Sequence, residues 1–177
     1  GGLPALDILV NNAGTNIPQP FVAVERAALD TMLDLNVRAA FIVAQAAVQR
    51  MLRDANRSER GGAVVNISST LGRVALGDRS VYSLTKHAVE GLTKSMAIEL
   101  APQRIRVNAV SPTWVETPMT GPALADPDYR AKIIGYIPMG HLAQIEDVVG
   151  AVVFLASPAA AMITGASLVV DGGWTAR

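Results

Sequence analysis

Four short apolar runs, each closing on small polar residues, constrain this chain more than any other feature. They are Ile8-Leu9-Val10 before Asn11-Asn12-Ala13-Gly14, Ala63-Val64-Val65-Asn66-Ile67 before Ser68-Ser69, Arg106 to Val110 before Ser111-Pro112, and Ser167 to Val170 before Asp171-Gly172-Gly173. Short β-branched runs bounded by turn residues read as buried strands. Between them lie helical stretches. Glu25 to Arg53 has no Gly or Pro and is rich in Ala and Leu. Ser80 to Leu100 has no Pro, and Leu84, Ala88, Leu92 and Met96 recur at i+4, which predicts one apolar stripe. Ile145 to Leu155 is a third helix. The polar stretch Asp54 to Arg60 reads as a solvated loop. The segment Thr113 to Gly140, with Pro118, Pro122, Pro127 and Pro138 inside it and Pro112 at its edge, reads as loops and short helices forming a mobile cover.

Strands that alternate with helices and are apolar throughout predict a parallel sheet covered on both faces, an α/β doubly wound architecture. Such sheets place ligands beyond the carboxyl ends of their strands. Here those ends carry Asn11 to Gly14, Ser68-Ser69 and Ser111-Pro112-Thr113.

Composition removes several functions. Half of the 177 residues are apolar and 17% are charged, which excludes a disordered chain. Fifteen basic residues balance fifteen acidic ones, so a phosphate-backbone binder is disfavoured and no nucleic-acid partner is expected. Without cysteine there is no disulfide, thiolate nucleophile or zinc–thiolate site. His87 and His141 alone make a poor metal set, so no metal is expected. No apolar run reaches the ~18 residues of a spanning helix, and Gly1-Gly2-Leu3-Pro4 has no basic leader, so neither a membrane span nor a signal peptide is expected.

Tyr82 and Lys86 stand four residues apart and therefore on one face of their helix. An ammonium beside a phenol favours the phenolate, which suits a tyrosine that passes a proton to or from a substrate oxygen. Ser69, thirteen residues earlier at a strand end, can hold the same oxygen.

Around this constellation the sequence resembles the short-chain dehydrogenase/reductase family. The matching segments are Asn11-Asn12-Ala13-Gly14, Asn36 in Leu35-Asn36-Val37, Asn66-Ile67-Ser68-Ser69, Tyr82-Ser83-Leu84-Thr85-Lys86, Arg106-Val107-Asn108-Ala109-Val110, and Thr164-Gly165 to Asp171-Gly172-Gly173, in the family's order over nearly the whole chain. The resemblance implies a Rossmann-like fold and NAD or NADP as cofactor. It makes Tyr82 the general acid/base, Lys86 the residue that lowers its pKa and holds the nicotinamide ribose, Ser69 the orienter of the substrate, and Asn36 the holder of a relay water. It places Asn11, Ala13, Gly14, Ile67, Tyr82, Lys86, Pro112, Val115 and Thr117 around the dinucleotide. It implies a soluble, cytoplasmic homotetramer in which the helices Glu25 to Arg53 and Ser80 to Leu100 pair with their copies, with Val89 and Leu92 in the interface.

Two departures from the family pattern bear on function. Thr113 follows Pro112 where the family usually has glycine, which resembles members that act on sugars and polyols. The family's opening strand–helix units, with the Gly-rich turn for the pyrophosphate, have no counterpart, so residues 1–177 read as the catalytic portion of one such domain. The expected activity is interconversion of a secondary alcohol and a ketone on a small sugar, polyol or hydroxy acid. The alternatives are a 3-oxoacyl-thioester reductase and a catalytically silent fragment serving as an assembly piece. Trp114 and Trp174 are assigned to core or interface.

Overall fold

The computed structural model describes residues 5–176; the stretch 1–4, where no leader is expected, lies outside them. Four parallel strands, β1 (Ile8–Asn11), β2 (Gly62–Ile67), β3 (Ile105–Pro112) and β4 (Ser167–Val170), form one sheet in sequence order. The register pairs Val10 with Val65, Val65 with Asn108, and Ala109 with Ser167. Alternate residues of one strand serve opposite faces. Val64 and Val107 pack with Val48, Met51 and Ala97 on one side. Val65 and Val110 pack with Ala151, Leu155 and Ala160 on the other. Because helices cover both faces, both sides of the inner strands are buried, and this is why the runs do not alternate; the buried polar positions Asn66, Asn108 and Ser111 are hydrogen-bonded.

The first face is covered by α1 (Arg26–Leu33), a π-helical segment (Asp34–Ala39), α2 (Ala40–Leu52) and the long α4 (Ser80–Leu100). The first three are continuous over Arg26–Leu52. The second face is covered by α7 (Ile145–Ala156), which starts with a capping box between Gln144 and Asp147. Between β3 and α7 lie α5 (Gly121–Leu124) and α6 (Pro127–Ile134), the short helices expected of the cover. α6 begins where the Asp126 carboxylate accepts from the N–H groups of Asp128 and Tyr129.

Four expectations are corrected. β3 runs through Ser111 and Pro112 instead of stopping before them; Thr113 N–H then donates to Val170 C=O at 3.0 Å, one place beyond the proline that cannot donate. The stretch Asp54 to Arg60 is not a solvated loop: it contains α3 (Arg57–Arg60), and Arg57 is buried, paired with Asp7 and Asp54 and donating to Leu6 C=O at 2.7 Å. A buried guanidinium must be paired in this way. The stripe Leu84, Ala88, Leu92, Met96 is not the buried face of α4. That face is Val81, Thr85, Lys86, Val89, Glu90, Thr93 and Ala97, while Leu84 is 55% exposed. The helix buries polar groups because it carries the site, which inverts the usual pattern of an apolar inner face. Lastly, the Arg26–Leu52 helix is, by length and composition, long and apolar enough to cross a membrane, although no continuous apolar run in the sequence is. In this fold it lies on the sheet through Ala44, Ala47, Val48 and Met51.

Candidate active site

The carboxyl ends of β1 and β2 and the first turns of α4 meet at one place. Beyond β2, Ser69 caps the 3-10 turn Thr70–Gly72, its Oγ accepting from Leu71 N–H at 3.2 Å. This turn lies directly on α4. A Cβ on Gly72 would stand 2.8 Å from Ser68 Oγ and 3.0 Å from the Lys86 carbonyl, so only glycine allows the approach that brings Ser69 to Tyr82 and Lys86.

Lys86 is buried and its Nζ donates to Ile67 C=O at 2.8 Å. The same Nζ stands 5.6 Å from the centre of the Tyr82 ring. Burial lowers the Lys86 pKa to about 8, with the charge of Glu90 opposing that shift. Burial likewise pushes the Tyr82 phenol above its ordinary value, against the lowering effects of a hydrogen bond with Ser69 and the charge of Arg79. The expected depression of the tyrosine by Lys86 is therefore not a property of the protein alone: here desolvation of both groups dominates.

Asn36 is buried, inside the π-helical segment, a local widening common at functional sites. Its Oδ1 accepts from Thr15 N–H at 2.8 Å and its Nδ2 donates to Thr15 C=O at 2.8 Å and to Thr85 Oγ1 at 3.1 Å. Thr85 Oγ1 in turn donates to Tyr82 C=O at 2.8 Å. Gly14 closes the group: a Cβ there would meet Asn36 Oδ1 at 3.3 Å and Lys86 Nζ at 3.7 Å.

The structure thus brings Gly14, Asn36, Ile67, Ser69, Tyr82 and Lys86 together. Asn11 serves the scaffold, its Nδ2 donating to Ala40 C=O at 2.9 Å and to Asn66 Oδ1 at 3.3 Å. Ala13 is exposed on the loop after β1, and Pro112 ends β3. Val115 bridges to Ala143, and Thr117 is bonded to Thr120 within its own loop. None of these five lines the cavity beside Tyr82.

That cavity, about 290 Å³, is walled by Ser69, Tyr82, Arg79, Trp114, Tyr129 and Trp174 among others. Its tryptophans, assigned to core or interface from sequence, stand 4.8 Å apart, ring centre to ring centre, at 49°. Asn16 and Thr113 also line it, and their Oδ1 and Oγ1 atoms are buried without a hydrogen-bond partner. Arg79 was readable in principle, lying three residues before Tyr82; the tryptophans and Tyr129 come from distant segments that only the fold brings in. A larger hollow of about 720 Å³ lies at the opposite end of the sheet, beside Ile8, Gly62 and Ile105, and holds none of these groups. Among the described residues no cluster of His, Asp or Glu is placed to hold a metal ion.

A parallel sheet with Ser, Tyr and Lys converging at its carboxyl edge defines the class: a dehydrogenase or reductase of the doubly wound type. Comparison with known proteins agrees. The family model described as enoyl-(acyl carrier protein) reductase matches residues 2–175. D-erythrulose reductase of Gallus gallus is 42% identical over 98% of this chain and 69% of its own length. L-xylulose reductase of Bos taurus is 42% identical over 99% of this chain and 70% of its own. A crystal structure of gluconate 5-dehydrogenase from Burkholderia cenocepacia, in complex with NADP and tartrate, superposes with a TM-score of 0.90 at 33% identity, covering 98% of this chain and 66% of that one. The chain belongs to the short-chain dehydrogenase/reductase family, NAD(P)-dependent oxidoreductases acting on alcohol and ketone groups.

Proposed function

We propose that the protein interconverts a secondary alcohol and a ketone on a small polyhydroxylated substrate, with NADP(H) as the hydride carrier. The observation that carries this is that Ser69 and Tyr82 share the wall of one cavity, with the Lys86 ammonium 5.6 Å from the centre of the Tyr82 ring. Relatives of this chain are described as reductases of erythrulose and xylulose and as a gluconate dehydrogenase, the last with NADP bound.

The residues present fit the nicotinamide end of such a cofactor. Lys86 has three donors and one acceptor, Ile67 C=O, which leaves donors for ribose hydroxyls. Gly14 offers bare backbone at the same place. The cofactor, when bound, supplies or removes hydride at the substrate carbon. Ser69 holds the substrate oxygen. Tyr82 delivers its proton to that oxygen in reduction and takes it back in oxidation. Its raised pKa keeps the phenol protonated in the cofactor-free protein, the form that reduction requires. Asn36 fixes the loop after β1 against α4, so the nicotinamide side and the tyrosine side stay in register.

The same reading takes residues 1–177 as the catalytic portion of a larger Rossmann-like domain. Its support is the β1 edge, where Ile8 is 48% and Val10 43% exposed, a parallel edge that a further strand would cover. Self-association into a homotetramer is supported by apolar side chains exposed on two helices of one face, Phe41, Ile42 and Val43 on α2 and Leu84 and Ile98 on α4. That use of the Arg26–Leu52 helix replaces a membrane role. Cytoplasmic residence rests on the family resemblance alone.

The test is consumption of NADPH by the purified protein with a panel of four- to six-carbon ketoses and keto acids. Turnover that survives in Tyr82→Phe or Ser69→Ala, or absence of turnover with every member of the panel, overturns the reading.

A further inference from the structure

Resting on the polyol-oxidoreductase reading above, we propose that Arg79 is a carboxylate-binding residue, and that the substrate is a polyhydroxylated acid rather than a neutral polyol or ketose. Sixteen residues line the cavity beside Tyr82, and Arg79 alone among them carries a formal charge. Its hydrogen-bond acceptors are uncharged: one nitrogen donates to Asp78 C=O at 3.2 Å and another to Tyr129 Oη at 3.4 Å. Among the described residues no carboxylate pairs with it. Elsewhere in the same chain Arg38, Arg57, Arg60 and Arg130 each meet an Asp or Glu. Nor does its side chain cap the helix: Arg79 occupies the N-cap position of α4 with no side-chain cap bond.

A guanidinium carries five donors in a planar fork that matches a carboxylate, and two of them are engaged. Placed at a partly enclosed wall without an anion, it lacks the partner that such a charge ordinarily finds. A substrate carboxylate would supply it. Arg79 and Tyr82 line the same cavity of about 290 Å³, so one small substrate can meet both groups. Asn16 and Thr113 line the same cavity, and their Oδ1 and Oγ1 have no hydrogen-bond partner, which leaves these side chains available to substrate hydroxyls. The relatives fall on both sides of this question, two named for neutral ketoses and one for an aldonate. Arg79 places this chain with the acid.

The Trp114–Trp174 pair in the cavity wall makes binding readable by tryptophan fluorescence without turnover. The protein, with saturating NADPH, which leaves no hydride acceptor for these ligands, is titrated with D-gluconate and D-sorbitol and with the five-carbon pair D-xylonate and xylitol. The acid of at least one pair is expected to bind about 10-fold or more tightly than its alcohol, the scale of a charge-assisted hydrogen bond. In Arg79→Gln that ratio falls toward one, and in Arg79→Lys part of it is kept, because the charge remains while the fork is lost. Equal affinity for acid and alcohol in the unaltered protein, or an unchanged ratio in Arg79→Gln, overturns the proposal. The first comparison decides alone if Arg79→Gln does not fold. Binding of the alcohols without the acids overturns the carboxylate assignment and leaves the polyol reading standing. No response to any of the four overturns both.

Discussion

The Asn36 side chain holds the backbone of Thr15 from both sides, accepting its N–H and donating to its C=O, each at 2.8 Å. A strand would pair in this way, but here one amide side chain does it from inside a helix. The remaining Nδ2 donor reaches Thr85 on α4, so one residue joins the loop after β1, the π-helical segment and helix α4. Replacing Asn36 with Ala removes the partner of a partly buried N–H and a partly buried C=O. We expect Asn36→Ala to lower stability by about 1–3 kcal/mol, the cost of buried groups left unsatisfied, and to lower kcat beyond any loss of folded protein. Urea titration read beside kcat per folded molecule checks both; unchanged kcat in the folded fraction would remove Asn36 from the site.

Tyr82→Phe keeps the ring in the wall and deletes the proton. A loss of about 100-fold or more in kcat is expected, the scale of general acid–base catalysis, with circular dichroism unchanged. Near-normal turnover would end the assignment of Tyr82.

Burial of Lys86 makes a prediction about pH. Its pKa is lowered from 10.5 to about 8, with burial as the first cause. Between those values the unfolded chain holds the proton and the native protein has released it, so stability rises with pH across that window and the penalty of burying the charge is fully present below pH 8. Lys86→Met removes this group from both states. The stability difference between variant and wild type without cofactor should therefore shift in favour of the wild type by on the order of 3 kcal/mol from pH 7 to pH 11. A difference that stays flat across that range would show that Lys86 titrates normally. Tyr82 titrates in the same range and feels the Lys86 charge, so the comparison is made in a Tyr82→Phe background, where no phenol is present at this position in either protein.

Much of the fold and half of the site were legible in the chain, and the reasons differ. Ser80–Leu100 was placed to the residue, because twenty-one residues without proline leave little else to form. Ser69, Tyr82 and Lys86 are candidates because their spacing on a strand end and a helix coincides with the other family segments, from Asn11-Asn12-Ala13-Gly14 to Asp171-Gly172-Gly173. Trp114, Tyr129 and Trp174 did not, because they reach the cavity from three separate loops and helices. The inner face of α4 was misread for a related reason. Its buried Thr85, Lys86, Glu90 and Thr93 are satisfied by partners distant in sequence, such as Ser111 and Ser167, which both donate to the Glu90 carboxylate at 2.9 Å. Periodicity counts apolar residues and is blind to such pairings.

Gly72 fixes the distance between the turn that carries Ser69 and helix α4. A methyl group there meets the Lys86 carbonyl at 3.0 Å, a backbone atom that cannot step aside. Gly72→Ala is expected to cost about 1–3 kcal/mol, the range for overpacking a filled site, and to lower kcat by moving Ser69 from Tyr82. Thermal unfolding and kcat of the variant check this; a variant as stable and as active as the parent would show that the turn and the helix can separate freely.

The misread stripe also redirects the test of assembly. Val89, first expected in an interface, is 5% exposed within one chain, so Val89→Asp should unfold the protein rather than dissociate it. The exposed apolar residues of the same helix are Leu84 and, at 78% exposure, Ile98. They lie fourteen residues apart, close to four full turns, and so on one side of α4. An aspartate there faces water in a monomer and an apolar partner in an oligomer. Leu84→Asp and Ile98→Asp should keep the helical circular dichroism of the parent and lower the mass measured by light scattering at micromolar concentration. A parent that is already monomeric under those conditions, or variants that keep its oligomeric mass, would exclude this side of α4 as the surface of association.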